Sequence, residues 1–218
     1  MHILVLGASG AIGRLFCDIA LNEGHRLTLF VRNANRVPEH IRLSEGTEII
    51  VGTLEADSDL EEAAKCGADI FISFAGPAFG AQGTPLTDAY KVLIPKLASQ
   101  NITRILILCT PSFRDQSDVI TSMWWAGKWF MKLFSSGQYQ EMVGVGEAIS
   151  SLSDTDGLRW GLFRVGGLTN GKEASVNATY LGSGVDNTWI SRASVARWVL
   201  DEAIEGKWVG KMPYICNK

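Results

Sequence analysis

The 218-residue chain has only four cysteines, Cys17, Cys66, Cys109 and Cys216, far apart and without a C-x-x-C pair. That scarcity excludes a disulfide framework and predicts buried thiols in a reducing, cytoplasmic compartment. Histidine is scarcer still: His2, His25 and His40 fall at the edges of predicted elements with no metal-ligand spacing, so no metal site is expected. There is no run of like charge, and a net charge of -3 with a pI near 5.6 gives no electrostatic footprint for nucleic acid. No apolar stretch reaches the roughly 18 to 20 residues that span a bilayer. Met1 leads straight into an apolar strand, which predicts no signal peptide. Low-complexity segments, internal repeats and linkers are also missing. What is there is a chain of 46% hydrophobic and 20% charged residues, long enough for one well-filled core, and a single domain over 1–218 is expected.

The informative stretch is "HILVLGASGAIGR", His2 to Arg14. A short apolar run reads as a buried strand, Ala11 to Ala20 reads as a helix, and three glycines sit at the join. Gly7 suits a tight turn with positive φ, Gly10 bare main chain beside a ligand, and Gly13 close helix packing. Ser9, Gly10, Ala11, Ile12 and Gly13 then form the start of a helix whose unpaired amides and dipole favour a pyrophosphate. The spacing is G-x-x-G-x-x-G, and its position directly after the first strand is what gives it weight.

Further apolar strands follow at Leu27 to Val31, Glu48 to Val51, Asp69 to Phe74 and "RILILC", then "LRWGLFRV" and a short "MPYI". Ser58 and Glu61 predict a capping box before a helix from Leu60 to Lys65. Tyr90, Leu93, Ile94 and Leu97 mark the buried face of a helix from Thr87 to Gln100, with Pro95 expected to kink it. Met142, Val145, Ile149 and Leu152 mark another helix, and Val195 to Ile204 a last one. Strands alternating with helices imply parallel pairing and an α/β doubly wound sheet, the Rossmann fold.

In such a sheet a ligand lies beyond the carboxyl ends of the strands, where strand order reverses. Gly52 to Leu54, Ala75 to Pro77 and Cys109 to Ser112 therefore gather around one crevice, with Ala75 and Gly76 leaving room for ribose and phosphates. About 20 residues past the glycines, where an acidic residue would bind the ribose of NAD, stands Arg32. Its guanidinium can pair with a 2′-phosphate, Arg36 and Arg14 add charge, and NADP is the expected cofactor.

Together "GASGAIG", "LFVRNANRVP", "IIVGTL", "ADIFISFAG", "ILILCTPSF" and "GLFRVGGLTNG" resemble the atypical short-chain dehydrogenase/reductases, in particular their NmrA-like and biliverdin-IXβ/flavin reductase branch, over nearly the whole chain. The resemblance implies NADP binding and sets Val165 and Gly166, in "FRVGG", beside the nicotinamide end. It also has departures. The Y-x-x-x-K pair of many relatives is absent, since Tyr139 is followed by Val143 and Tyr90 by Ile94. "CTPS" puts Pro111 where the biliverdin-IXβ branch has serine, displacing the hydroxyl to Ser112, and Thr53 stands where an aspartate is usual near the adenine.

Hydride transfer asks the protein mainly to hold donor against acceptor and to support the charge that appears on the acceptor. Thr110 and Ser112 are the candidate hydroxyls, and Tyr139 is a candidate proton donor or a packing tyrosine. The segment Ser122 to Phe134, rich in tryptophan, reads as a core helix, a wall for an apolar or aromatic substrate, a dimer interface or a membrane contact. Substrate-covering segments are expected near 112–140 and 166–190. The expected activity is NADPH-dependent reduction of a small apolar or aromatic carbonyl or conjugated compound. A non-redox isomerase, dehydratase or cyclase, and an NADP-binding regulator without turnover, are the alternatives.

Overall fold

The computed structural model describes residues 1–77, 83–119, 136–152 and 157–218. Strands β1 (His2–Leu6), β2 (Arg26–Val31), β3 (Thr47–Val51), β4 (Ile70–Ser73), β5 (Arg104–Cys109) and β6 (Arg159–Val165) lie within a residue or so of the apolar runs. They are joined by β7 (Gly167–Thr169), β8 (Val176–Thr179), β9 (Trp189–Ser191) and β10 (Tyr214–Asn217). The helices are α1 (Ala11–Asn22), α2 (Glu39–Arg42), α3 (Asp57–Ala64), α4 (Pro85–Ser99), α5 (Ser136–Ser150) and α6 (Arg192–Glu205). None of the described helices is long and apolar enough to cross a membrane.

One eight-stranded sheet runs in the order β3-β2-β1-β4-β5-β6-β10-β8. Every pairing in it is parallel except β10 with β8. The order reverses between β1 and β4, the switch point of a Rossmann fold. Alternate side chains feed two cores. Ile3, Val5, Leu27 and Leu29 pack with Phe16 of α1 and Val195 and Val199 of α6. On the opposite face Leu4, Phe71, Ile105 and Ile107 meet Tyr90 and Leu93 of α4 and Met142 and Val145 of α5. Strands covered on both faces must be apolar on both, as these are.

Several expectations need correction. The capping box does not form: α3 starts at Asp57 after Ala56, so Ser58 lies inside the first turn and its hydroxyl meets Asp59 Oδ1 at 3.3 Å. Glu61 instead accepts from Lys65 Nζ at 2.6 Å. The helix containing Pro95 begins at Pro85, a residue suited to a first turn because its missing N–H has no partner there anyway. The last strand is displaced toward the C-terminus of "MPYI", beyond Pro213. Its neighbour β8 and the small β7-β9 pair escape a hydrophobicity reading because they are only three or four residues long. Cys66 is half-buried, unlike the other three cysteines, and all four are free. The segment Ser122 to Phe134 lies outside the described residues.

Candidate functional site at the switch point

The glycine turn is built as its spacing predicts. Gly7 has φ +86°, and a Cβ there would stand 2.9 Å from the Ala75 amide nitrogen and 3.0 Å from the Phe74 carbonyl carbon. The loops after β1 and β4 therefore touch main chain to main chain at the switch point. A Cβ on Gly13 would lie 2.2 Å from the Gly7 carbonyl oxygen, so α1 can start this close to its own turn only with glycine at that position. The N-cap is Gly10, with extended backbone and no side-chain cap, and both Gly10 and Ala11 are exposed. That leaves the first amides of α1, at Ala11, Ile12 and Gly13, without intrahelical acceptors. Gly76 has nothing within 4 Å of its Cβ position. Bare amides at a helix start fit an anionic pyrophosphate.

Arg14 proves to be a brace. Its Nε donates to the Ser9 carbonyl at 2.9 Å and an Nη to the Arg36 carbonyl at 3.1 Å. The glycine turn is thus tied to the 3-10 turn Ala34–Arg36, which itself starts where Asn33 Oδ1 accepts from the Asn35 amide. Arg32 and Arg36 are exposed at the end of β2. At the end of β3, Gly52 has no room for a Cβ, which would sit 2.7 Å from the Phe30 ring. The Thr53 amide donates to Asp59 Oδ2 at 2.8 Å, with Thr53 exposed and Leu54 half-buried. An unforeseen device holds the β4 loop: the buried Tyr90 hydroxyl is 2.6 Å from Ser73 Oγ, which accepts from the Ala75 amide at 3.1 Å. Burial pushes the Tyr90 phenol far above its ordinary pKa, so it stays neutral.

After β5 the chain makes a turn from Thr110 to Phe113, closed by the Phe113 amide on the Thr110 carbonyl at 3.2 Å. Pro111 occupies the second position of that turn, where its fixed φ is favoured. Thr110 and Ser112 are half-buried, and Thr110 Oγ1 accepts from the Ser112 amide at 3.4 Å. Cys109 points away from the crevice: its thiol donates to the Met142 carbonyl at 3.4 Å, and burial pushes its pKa up to about 11. Tyr139 is half-buried in the first turns of α5. Val165 buries its side chain in the core, and Gly166 is closed off by Tyr214, whose hydroxyl would lie 2.4 Å from a Cβ there.

The structure therefore brings Gly7, Gly13, Ser9, Arg36 and Ala75 into one connected cradle. Thr110 and Ser112 share a turn at the end of β5, and Tyr139 stands in the first turns of α5. Sequence reasoning missed Arg164 of β6, buried against Asp118 with Nη–Oδ distances of 2.5 and 2.9 Å. An arginine inside the apolar run "LFRV" was the available signal, because a buried guanidinium needs a partner.

Three solved structures share the architecture. A short-chain dehydrogenase/reductase from Veillonella parvula DSM 2008 has a TM-score of 0.81 and 18% identity, covering 99% of this chain and 94% of its own. A structure of a short-chain dehydrogenase/reductase from the same organism in complex with NADP has a TM-score of 0.78 and 17% identity, with the same coverage. The anaerobillin reductase ChuY of Escherichia coli O157:H7 has a TM-score of 0.75 and 17% identity, covering all of this chain and 97% of its own. At such identities these likenesses speak for the fold alone. No curated protein matches the chain. The NAD(P)H-binding family model, in contrast, matches residues 7–205, from the first glycine of the turn to the last residue of α6, and the chain belongs to that family.

Proposed function

We propose that the chain is an NADPH-dependent reductase that transfers hydride to a small apolar or aromatic carbonyl or conjugated substrate. The observation that carries this reading is the cradle itself: bare first amides of α1 braced by Arg14 to a turn that displays Arg32 and Arg36, with no carboxylate at the end of β2. In this reading Ser9, Gly10, Ala11, Ile12 and Gly13 hold the pyrophosphate through main-chain amides. Arg32 and Arg36 hold the 2′-phosphate through charge-assisted hydrogen bonds and select NADPH over NADH. Thr53 and Leu54 flank the adenine. Ala75, Gly76 and the main chain of Cys109 make room for ribose and phosphates, and the main chain of Val165 and Gly166 borders the nicotinamide end.

A bound reduced nicotinamide supplies the hydride. The protein's task is then to orient the acceptor and to support its developing negative charge. The Thr110 and Ser112 hydroxyls donate to that oxygen, and Tyr139 delivers the proton. Tyr139 lacks the lysine four positions on that the Y-x-x-x-K pattern supplies, and binding geometry carries most of the acceleration.

The test is incubation with NADPH deuterated at nicotinamide C4 and a panel of aromatic ketones and conjugated aldehydes. The expected result is NADPH consumption with deuterium on the reduced carbon. Tight NADPH binding without oxidation by any of the panel would favour a regulator, and turnover of a related compound without nucleotide would favour a non-redox enzyme.

A further inference from the structure

Arg164 is fully buried, yet it sits one residue short of the carboxyl end of β6, at the rim of the crevice. All three guanidinium nitrogens are used. Nη1 and Nη2 grip Asp118 in a fork, Nη1 also donates to the Phe113 carbonyl at 3.2 Å, and Nε donates to the Met212 carbonyl at 2.8 Å. Phe113 directly follows Ser112, and its ring lies on Gly146 of α5, where a Cβ would come within 2.1 Å. Asp118 is equally committed, accepting from the Asp115 amide at 2.8 Å and from the Leu181 amide at 3.0 Å. The Val119 amide then donates to the Leu181 carbonyl at 2.8 Å. Burial pushes the Asp118 carboxyl up, but the Arg164 hydrogen bonds and charge outweigh that and hold it below the usual carboxylate range.

Two loops distant in sequence, 110–119 and 180–182, thus share one anchor beneath the acceptor side of the crevice. We propose that Arg164 and Asp118 are a positioning pair that locks these loops into one wall and sets the orientation of Thr110 and Ser112 beside the nicotinamide end. The role rests on the NADPH reading above. It is separate from nucleotide affinity, because among the described residues no hydrogen bond or ion pair connects the pair to the glycine turn or to Arg32 and Arg36.

Arg164→Lys is the first variant: it keeps the charge but replaces a planar fork by a single ammonium that cannot serve Asp118, Phe113 and Met212 together. Asp118→Asn is the second, and thermal melting selects whichever stays folded. Hydrogen exchange without nucleotide is expected to quicken about tenfold in both 110–119 and 176–185, with 7–14 unchanged. NADPH affinity should stay within about twofold of native, while the emission enhancement of bound NADPH, which reports the nicotinamide environment, is lost. Faster exchange in one loop alone, or native emission in a folded variant with quickened exchange, would overturn the proposal. Failure of the native protein to bind NADPH would instead sink the nucleotide reading on which this role depends.

Discussion

Both halves of the sheet use glycine where loops and helices come close, but among the described residues only the second half adds buried charged side chains. Through residue 100, none of the described residues is a buried charged side chain, and the loops are shaped by backbone: Gly7, Gly13 and Gly52 stand where a Cβ would strike other atoms at under 3 Å. Beyond residue 100, Arg104, Asp118, Glu141, Arg164 and Glu202 are all buried. Arg104 pairs with Glu202 at 2.9 Å, and Glu202 also takes the Lys207 and Trp208 amides. Glu141 of α5 accepts from the Leu86 and Thr87 amides at the start of α4, whose own N-cap residue, Thr84, does not cap a helix amide with its side chain. A nucleotide cradle needs bare main chain, so glycine builds it. The connections beyond β5 are anchored instead by buried charged groups, two pairs of them salt-bridged, Arg104 with Glu202 and Arg164 with Asp118.

That contrast can be broken most severely in the second half. Glu202→Ala leaves the Arg104 guanidinium and two amides without their carboxylate, and the expected loss is about 3–5 kcal/mol in urea unfolding, with nucleotide affinity of the folded fraction unchanged. A loss near zero would mean the pair is dispensable.

Gly13→Ala is the matching insult to the first half. Its Cβ would strike main chain on Gly7 and Ala8, so a loss of about 1–3 kcal/mol in urea unfolding is expected, together with weakened NADPH binding. Native stability and affinity would show that the turn has slack.

Replacing both Arg32 and Arg36 by alanine sharpens the comparison by separating binding from folding. Both side chains are exposed, so stability should move by less than about 0.5 kcal/mol, whereas NADPH affinity should fall about tenfold to a hundredfold. NADH affinity should stay put.

The smallest effect concerns pH. The folded Asp118 pKa lies below its ordinary 3.8, so the stability it lends is complete above that value and is lost as pH falls through the lowered one. Between about pH 5 and pH 3 the urea midpoint of the native protein should drop more steeply than that of Asp118→Asn. Parallel curves would contradict an ionised, paired Asp118.

The same contrast explains what could be read in the sequence. Glycine spacing after an apolar run is a local signal and led to the turn, while the alternation of apolar strands with helices led to the doubly wound, mostly parallel sheet. Arg14 reads in the sequence as charge for the nucleotide, and in the structure it also donates from Nε and one Nη to the Ser9 and Arg36 carbonyls, a pairing no spacing reveals. The capping box failed because Ser58 and Glu61 satisfy its pattern while α3 starts one residue before Ser58. The Arg164–Asp118 anchor spans 46 positions, and only the oddity of an arginine in a buried strand hints at it. Short strands such as β7 and β9 are held by tertiary contacts, with Trp189 covering Gly167, so they carry no periodicity to detect.

The central claim is that the glycine turn and its two arginines form an NADPH site. Calorimetric titration of the native protein and of the Arg32→Ala/Arg36→Ala variant with NADPH and NADH tests it most directly. Native protein is expected to prefer NADPH by about tenfold or more, and the variant to lose the preference while still binding NADH. Binding of neither nucleotide, or an unchanged preference in the variant, would contradict it.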